Sequence, residues 1–388
     1  MNGKLTRRTL MQGALGIAAA GGVFGAADLV RTAATDRTNT TGQLRIGYLP
    51  ITDAAPLLVA HGAGLYPNGI VDSARPVLFR SWASLAEAFV SRQVDVVHLL
   101  MPLAVQLRYG LGSSARILGW NHTNGSALTV APHITDLGQL AGETIAIPFW
   151  WSIHNIVVQQ LLREHGLTPV VRQAPSKSAR TVGLVVMGPS DMIPALANGS
   201  IAGFTVADPF NAAAELRGVG RIHRFLGDLW RDHACCAFLV HEDVIEENPA
   251  AVQSLTDSVV SAQLQIGADR PGAATMLSDR YLPQPLPAIT TALTYPGRDS
   301  GTRHPQWAPQ QIGYQPFPFP SFTTALVEAM HGTVVDGNTD FLSRIDPATV
   351  HHDLVDDRFV RTSLTRIPGT DAFGLPADLT RIEEVDPT

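Results

Sequence analysis

Short apolar runs alternate with amphipathic stretches along this chain, which predicts a protein of alternating strands and helices. Residues 44–49 form an apolar run with β-type side chains, typical of a buried strand. Pro50 ends that run, and Thr52 or Asp53 is expected to cap a helix that begins at residue 54. A strand that leads into a capped helix presents free backbone N–H groups to a small anion, although an ordinary βα unit without a ligand shows the same pattern.

The same alternation recurs along most of the chain. Further strands are predicted at residues 76–79, 94–100, 115–120, 127–131, 143–147, 184–186, 202–207 and 234–240. Helices are predicted after Ser81-Trp82, after Trp151-Ser152, from Ser190 or Asp191 to Gly199, after Asn248-Pro249 and over residues 321–330. Because the chain is longer than a usual single domain, this order predicts two α/β lobes, each with a mainly parallel sheet flanked by helices. The chain beyond Pro368 is expected to be a weakly structured extension.

Polar and aromatic residues recur where the predicted strands end. They are Thr52-Asp53, Ser81-Trp82, Met101-Pro102, Trp151 to His154 and Asp208-Pro209. Ligands of open α/β sheets lie beyond the carboxyl ends of the strands. The recurrence therefore predicts a ligand cleft at these ends, although Asp208 also suits a role as a cap of a hinge segment.

The N-terminus has the pattern of an export signal. Arg7 and Arg8 precede a weakly apolar run, residues 13–30, which resembles a twin-arginine signal and is too interrupted by glycine for a membrane span. The polar residues 36–42 are expected to be a linker. The sequence thus predicts a signal and linker over residues 1–42 and a periplasmic or extracytoplasmic location.

Composition narrows the classes of function. The chain has 45% hydrophobic and 16% charged residues and a net charge of −6, so it can bury large cores and has no basic footprint for nucleic acid. The two cysteines, Cys235 and Cys236, are adjacent, a spacing that rarely allows a disulfide. Two buried thiols in a strand are expected. Without a C-x-x-C pair or zinc spacing, neither a metal site nor a cofactor is predicted, and the adjacent His351 and His352 suit a solvated surface.

No motif of enzyme chemistry is present. The sequence has no G-x-S-x-G, no P-loop, no H-E-x-x-H and no G-x-G-x-x-G after the first strand. The chain is therefore predicted not to be an enzyme.

Several segments in order carry a family resemblance. Residues 47–57 resemble the opening of the nitrate- and bicarbonate-binding proteins of ABC importers, a branch of a wider group that includes sulfonate- and thiamine-precursor-binding proteins. The likeness continues through residues 81–83, 98–103, 124–125, 148–155, 199–204, 207–211, 228–233 and 246–249. It covers nearly all of residues 43–260.

The resemblance implies a type II periplasmic binding protein. Lobe 1 would comprise residues 43–130 and 240–388, and lobe 2 residues 131–239, with the ligand in the cleft between them. Hinge closure around a small anion such as nitrate, nitrite or bicarbonate would be followed by delivery to a membrane permease. A monomer is expected. Two alternatives remain. The ligand is an organic anion, such as a sulfonate or an aromatic carboxylate, or the chain is a sensory binding domain without a transporter.

The resemblance also suggests specific ligand contacts. Trp82, His154 and Arg231 would contact the anion, with Arg231 at the place of a lysine. Trp120 would stand at the place of a glutamine and add an aromatic wall that also suits a planar organic anion. Plain structural roles remain open: Trp82 packing its lobe, Arg231 paired with its neighbour Asp232, and His154 exposed at a helix start. The full predicted ligand set is Thr52, Asp53, Trp82, Met101, Trp120, Asn124, Trp151, Ser152, His154, Asp208 and Arg231.

Overall fold

The structure is a computed structural model and describes residues 43–295, 312–367 and 369–386. The predicted signal and linker, residues 1–42, lie outside the described residues, as do residues 296–311. No helix in the described part of the chain is both long enough and apolar enough to cross a bilayer.

The strands, in chain order, are β1 (Ile46–Tyr48), β2 (Val77–Leu78), β3 (Val96–Leu100), β4 (Ala115–Trp120), β5 (Thr123–Asn124), β6 (Ser126–Val130), β7 (Thr144–Ile147), β8 (Thr168–Val170), β9 (Thr181–Val186), β10 (Gly203–Ala207), β11 (Arg221–Phe225), β12 (Cys236–His241) and β13 (Ile312–Gly313). The α-helices are α1 (Ala55–Gly62), α2 (Trp82–Val90), α3 (Met101–Val105), α4 (Ile153–Glu164), α5 (Pro189–Ala197), α6 (Phe210–Leu216), α7 (Glu242–Glu247), α8 (Pro249–Ala268), α9 (Arg270–Arg280), α10 (Leu286–Thr294), α11 (Pro320–His331), α12 (Val350–Leu354) and α13 (Arg358–Arg366).

Two larger sheets organise these elements. The first has the strand order β2-β1-β3-β12-β4 and the second β11-β6-β10-β7-β9-β8. In the first sheet β12 runs antiparallel to both of its neighbours, and in the second β6 runs antiparallel to β10 and β11. Each sheet thus has one antiparallel strand among strands that otherwise run in one direction, which agrees with the expectation of mainly parallel sheets. The antiparallel strands are those next to the points where the chain passes between the sheets.

The chain passes from one sheet to the other twice. The first passage leads from β4 through β5 into β6, and the second leads from β11 into β12. The two passages touch each other, because Thr123 forms an antiparallel bridge with Ala234 and the Asn124 N–H donates to the carbonyl oxygen of His233 at 2.9 Å. The short strand β13 pairs with β5 from the other side. Sheet membership therefore changes at Ser126 and Cys236, a few residues before the boundaries at 130 and 239 that were predicted for the lobes.

Local sequence explains where several helices begin. Ser81, Ser152 and Asn248 each accept a backbone N–H from the first turn of the helix that follows, as expected from their positions before apolar stretches. The predicted cap at Thr52 or Asp53 was wrong. These residues form a 3₁₀ turn, Thr52–Ala54, ahead of α1, and neither side chain caps it.

The chain after residue 368 is docked to the body of the protein. The Trp230 indole N–H donates to Glu383 at 3.0 Å, and Val385 forms a bridge with Trp230. The Arg381 guanidinium lies over the rings of Trp120 and Phe319, 4.9 and 4.6 Å from their centroids. The predicted weakly structured extension is thus, over residues 369–386, held by specific contacts.

Candidate ligand site

The turn after β1 brings the two sheets together. The Thr52 backbone N–H and its Oγ1 both donate to the carbonyl oxygen of Asp208 at 2.8 Å, at the end of β10. Thr52, Asp53 and Asp208 are almost completely buried. This contact joins the carboxyl ends of β1 and β10, and open α/β sheets bind their ligands at the carboxyl ends of their strands. The candidate site is therefore centred on this turn.

Four side chains converge beside the turn and are called here the Asp53 cluster: Asp53, His122, Cys235 and Cys236. His122 Nε2 lies 3.0 Å from Asp53 Oδ2, and the Cys236 thiol lies 3.5 Å from the same oxygen. The two sulfurs are 3.8 Å apart, and both thiols are free, as expected from the sequence. All four residues are fully buried. One carboxylate, one imidazole and two thiols thus lie together away from the protein surface.

Burial and mutual contact perturb the acid–base behaviour of this cluster. Burial raises the pKa of the Asp53 carboxyl to about 6, against the opposing effect of His122. Burial lowers the pKa of His122, but the adjacent carboxylate outweighs it and raises this pKa to about 10. Burial also raises the pKa of the Cys235 thiol, yet contacts with Cys236 and with the imidazoles of His154 and His122 hold it well below its usual range. Burial and the neighbouring thiol raise the pKa of Cys236 well above its usual value. Cys235 is therefore the more acidic thiol of the pair.

Further imidazoles surround the cluster. His154 Nε2 lies 2.9 Å from Ser126 Oγ and 4.0 Å from Cys235 Sγ. His98 Nε2 accepts the Leu49 N–H at 2.9 Å, and burial lowers the pKa of His98 to about 3. Burial likewise lowers the pKa of His233, to about 4, and this ring contacts the carbonyl oxygen of Trp230 through Nδ1 at 2.8 Å. His98 and His233 are neutral at pH 7 as a result.

Many buried polar atoms here have no hydrogen-bond partner. They are Asp53 Oδ1, His98 Nδ1, Asn121 Oδ1, both ring nitrogens of His122, Thr123 Oγ1, His154 Nδ1, Asp208 Oδ2, His233 Nε2, Tyr295 Oη and Tyr314 Oη. Native proteins leave few buried polar groups unpaired, because each costs about 1–3 kcal/mol. Such a concentration of polar atoms between two sheets is typical of the lining of a binding site.

Asp208 extends this region toward the second sheet. Its Oδ1 accepts the Ala212 N–H at 3.2 Å near the start of α6, the capping role that the sequence also allowed. Burial raises the pKa of the Asp208 carboxyl to about 7, with Asp53 adding to the effect. Asp208 therefore has both a structural contact and an unpartnered oxygen.

Other residues of the predicted ligand set lie next to the cluster. The Trp82 ring packs edge-on against His98, with 5.4 Å between centroids. The Met101 N–H donates to the carbonyl oxygen of Cys235 at 3.0 Å, so the start of α3 is adjacent to the thiols. Together with Asp53 and His154, these residues are brought into one region.

Three other residues of the predicted ligand set contact parts of the protein other than the Asp53 cluster. Trp120 packs against Phe319, Phe322 and the guanidinium of the tail. Trp151 packs edge-on against Phe341 with 5.5 Å between centroids. The Ser152 hydroxyl donates to the Phe149 carbonyl and caps α4.

The predicted cationic ligand contact, Arg231, is also placed away from the cluster. Its guanidinium lies 3.2 Å from Glu384 of the tail and 3.8 Å from Asp232, and its backbone N–H donates to the Glu384 carbonyl. Asn124 Nδ2 donates to Asp232 at 3.0 Å. Arg231 is thus paired with carboxylates, in line with the plain structural role considered for it.

The predicted ligand set does not include His122, Cys235, Cys236 or His233. His122 comes two residues after β4, and Cys235 stands one residue before β12. The rule that directed attention to the ends of strands would have found His122. Cys235 precedes β12 and Cys236 is its first residue, and only the antiparallel entry of β12 brings that residue to the same edge.

Comparisons with known proteins identify the family of this chain. The profile of the NMT1-like family matches residues 37–278, which is more than half of the chain. The chain belongs to the NMT1-like family. This confirms the resemblance drawn from residues 47–57 and the segments after it.

Among the curated relatives of this NMT1-like chain is the nitrate/nitrite binding protein NrtA of Nostoc sp. It is 25% identical over 244 residues, which are 58% of this chain and 53% of the relative. The chain therefore spans about half the length of the curated relatives that it matches. The named relatives are binding and transport proteins, in agreement with the expectation that the chain is not an enzyme.

Solved structures show the same fold. The periplasmic nitrate-binding protein NrtA from Synechocystis PCC 6803 matches with a TM-score of 0.73 and 20% identity, over 89% of this chain and 94% of that chain. A ligand-binding component of an ABC-type import system from Staphylococcus aureus, solved with zinc bound, matches with a TM-score of 0.65 and 19% identity, over 83% and 98%. The fold is that of a type II periplasmic binding protein, as predicted.

Proposed function

We propose that this chain is the substrate-binding component of an ABC importer and that it captures a small anion of the nitrate type at the junction of its two sheets. The observation that carries the proposal is the set of unpartnered buried polar atoms around His98, His122 and His154. The nitrate-binding names of the relatives support the ligand class. Release to a membrane permease follows hinge opening.

Imidazole N–H groups are the donors that an anion would use here. His98 accepts a backbone N–H through Nε2, so its proton is on Nδ1, and that nitrogen is buried without a partner. The Asp53 carboxylate raises the pKa of His122 to about 10, against the effect of burial. His154 also has an unpartnered Nδ1. These groups take the place of the guanidinium of Arg231, which is paired with Glu384.

The aromatic environment favours a small ligand over a planar organic anion. Trp82 is adjacent to His98, but Trp120 and Trp151 pack against phenylalanines of the C-terminal part. An aromatic wall of several indoles is therefore not formed at the cluster. A sulfonate or an aromatic carboxylate is the outcome that would contradict this choice.

The division into lobes follows the sheets. We propose that lobe 1 contains the first sheet and lobe 2 the second, with the paired passages at Thr123 and Ala234 as the hinge. An extracytoplasmic location and export by the twin-arginine route are part of the proposal, as is a monomer.

The proposal is tested by thermal unfolding of the purified chain with nitrate, nitrite, bicarbonate, sulfonates and aromatic carboxylates, each against chloride at equal ionic strength. A ligand present at 100 times its dissociation constant stabilises the folded state by about 2.7 kcal/mol. We therefore expect nitrate, nitrite or bicarbonate to raise the melting temperature by a few degrees. The titration is repeated on chelator-treated and metal-loaded protein.

A matched pair of variants locates the site. His154→Gln removes an imidazole at the cluster, and His165→Gln removes a half-buried imidazole beyond the other end of α4, where Nδ1 contacts the Leu161 carbonyl. We expect the first to weaken anion binding at least tenfold and the second to leave it unchanged. No response to any inorganic anion, or equal affinity of both variants, would overturn the proposal.

A further inference from the structure

We propose that Asp53, His122, Cys235 and Cys236 form a binding site for a thiophilic metal ion of the zinc type. This inference goes beyond the proposed function, because it does not depend on an anion or on a permease. It also departs from the expectation, drawn from sequence spacing, that the chain has no metal site.

The distances within the cluster match the edges of a tetrahedral site. Zinc–sulfur bonds of about 2.3 Å and zinc–nitrogen or zinc–oxygen bonds of about 2.0 Å put two sulfurs about 3.8 Å apart, sulfur and oxygen about 3.5 Å apart, and nitrogen and oxygen about 3.3 Å apart. The structure has 3.8 Å between the two sulfurs and 3.5 Å between Cys236 Sγ and Asp53 Oδ2. It has 3.0 Å between His122 Nε2 and Asp53 Oδ2. Three of the six edges are thus preformed within a few tenths of an ångström.

Adjacent cysteines converge here for a local reason. Side chains of neighbouring residues in a strand point to opposite faces, which keeps most Cys-Cys pairs apart. Cys235 precedes β12 and lies outside that alternation, so its sulfur turns toward that of Cys236. A disulfide requires about 2.05 Å between the sulfurs, so the observed pair is not oxidised.

The four side chains are good ligands for a metal ion, and they satisfy one another's hydrogen bonds only in part. Thiolates and imidazole favour zinc and similar ions, and a carboxylate completes such a set. Asp53 Oδ1 and both ring nitrogens of His122 lack an aligned hydrogen bond. His122 offsets the charge of the buried Asp53 carboxylate only while it is protonated, and deprotonated thiols would add further buried negative charge that needs a partner. A bound cation would compensate the carboxylate and the thiolates together.

Hydrogen bonds hold the backbone of the ligand residues. Asn121 Nδ2 donates to the Asp53 carbonyl oxygen at 3.2 Å, and the Met101 N–H donates to that of Cys235 at 3.0 Å. The Asn121 N–H donates to the carbonyl oxygen of Cys236 at 3.0 Å. These contacts connect the three chain segments that supply the ligands. Such outer contacts are a regular part of metal sites.

The test uses the purified chain, reduced, stripped with a chelator and titrated with Zn²⁺ and, as a spectroscopic probe, with Co²⁺. We expect one equivalent of each ion to bind. The Co²⁺ form should show a thiolate-to-cobalt charge-transfer band and the intense visible bands of tetrahedral cobalt. A Co²⁺ form without a charge-transfer band would overturn the proposal on the wild-type protein alone, whatever the variants do.

Variants assign the ligands. Cys235→Ser and Cys236→Ser should each weaken Zn²⁺ binding at least tenfold and reduce the charge-transfer band, and Asp53→Asn should weaken binding with the band retained. His352→Gln, at an exposed histidine beside the half-buried His351, is the control and should bind as the wild type does. Circular dichroism of the metal-free variants checks the fold. Unchanged Zn²⁺ affinity in the folded cysteine variants would overturn the assignment, while a missing response to nitrate would bear only on the proposed function.

Discussion

Replacing Gln263 tests whether α8 holds the first passage between the sheets. Gln263 is buried, and its Nε2 donates to the carbonyl oxygens of Trp120 and Asn121, both at 2.8 Å. These residues lead directly to His122 of the Asp53 cluster. Gln263→Met keeps the length of the side chain and removes both donors.

The expected loss follows from those contacts. A hydrogen bond contributes about 1 kcal/mol net, and a buried acceptor left without a donor costs about 1–3 kcal/mol. Gln263 Oε1 itself has no partner, so methionine also removes one unpaired acceptor and offsets part of the loss. We expect a net decrease of about 1–3 kcal/mol in the free energy of unfolding.

Urea unfolding, followed by circular dichroism, measures this decrease. The control is Gln265→Met, two residues away on an exposed face of the same helix, which should change the free energy of unfolding by less than about 0.5 kcal/mol. Metal titration of the Gln263 variant should also show weaker binding, because His122 loses a fixed backbone. Equal stability of the two variants would refute the reasoning.

Three further predictions use other parts of the molecule. Arg231→Ala should lower the free energy of unfolding in urea by less than about 1 kcal/mol, because the ion pairs of Arg231 are half-exposed. The same variant should keep its anion affinity within threefold of the wild type, and a tenfold loss would place Arg231 in the anion site. Gly119→Ala should cost about 1–3 kcal/mol, because its Cβ would lie 2.8 Å from a Phe238 ring carbon; a melting temperature equal to that of the wild type would contradict this. Burial lowers the pKa of His241 from 6.5 to about 4, so as pH falls across that window the unfolded state binds the proton first and stability decreases. In His241→Gln the slope of unfolding free energy against pH should be smaller by up to about 1.4 kcal/mol per pH unit, and an unchanged slope would count against a neutral buried His241.

The secondary structure was largely readable from local chemistry. Ser81, Ser152 and Asn248 precede apolar stretches and cap helices where expected. The cap predicted at Thr52 or Asp53 failed because Thr52 donates to the Asp208 carbonyl oxygen and the Asp53 carboxylate contacts His122 instead. Tertiary contacts with the second sheet outweigh a local preference there.

The direction of each strand within its sheet was harder to predict from the sequence. Hydrophobic alternation marks β12 as a strand but contains nothing about its neighbours or its direction. Its antiparallel course follows from the return of the chain out of the second sheet. The one antiparallel strand in each mainly parallel sheet was not predicted for this reason.

The candidate site likewise contains residues that local sequence patterns predict and residues that only tertiary contacts position. Asp53, Trp82 and His154 were selected because they follow strands or begin helices, and they lie in one region of the structure. Arg231 was chosen by resemblance, and the structure places it beside Glu384 of a tail that no local pattern connects with it.

The sequence by itself determined the class of this protein: its order of strands and helices, the ends of strands that carry polar residues, and the segments that identify an NMT1-like type II binding protein. Only the tertiary structure brought Asp53, His122, Cys235 and Cys236 into one cluster. The reason is physical. Strand and helix patterns arise from neighbours within a few residues, whereas this cluster depends on which strands lie side by side and on the direction in which β12 enters the first sheet.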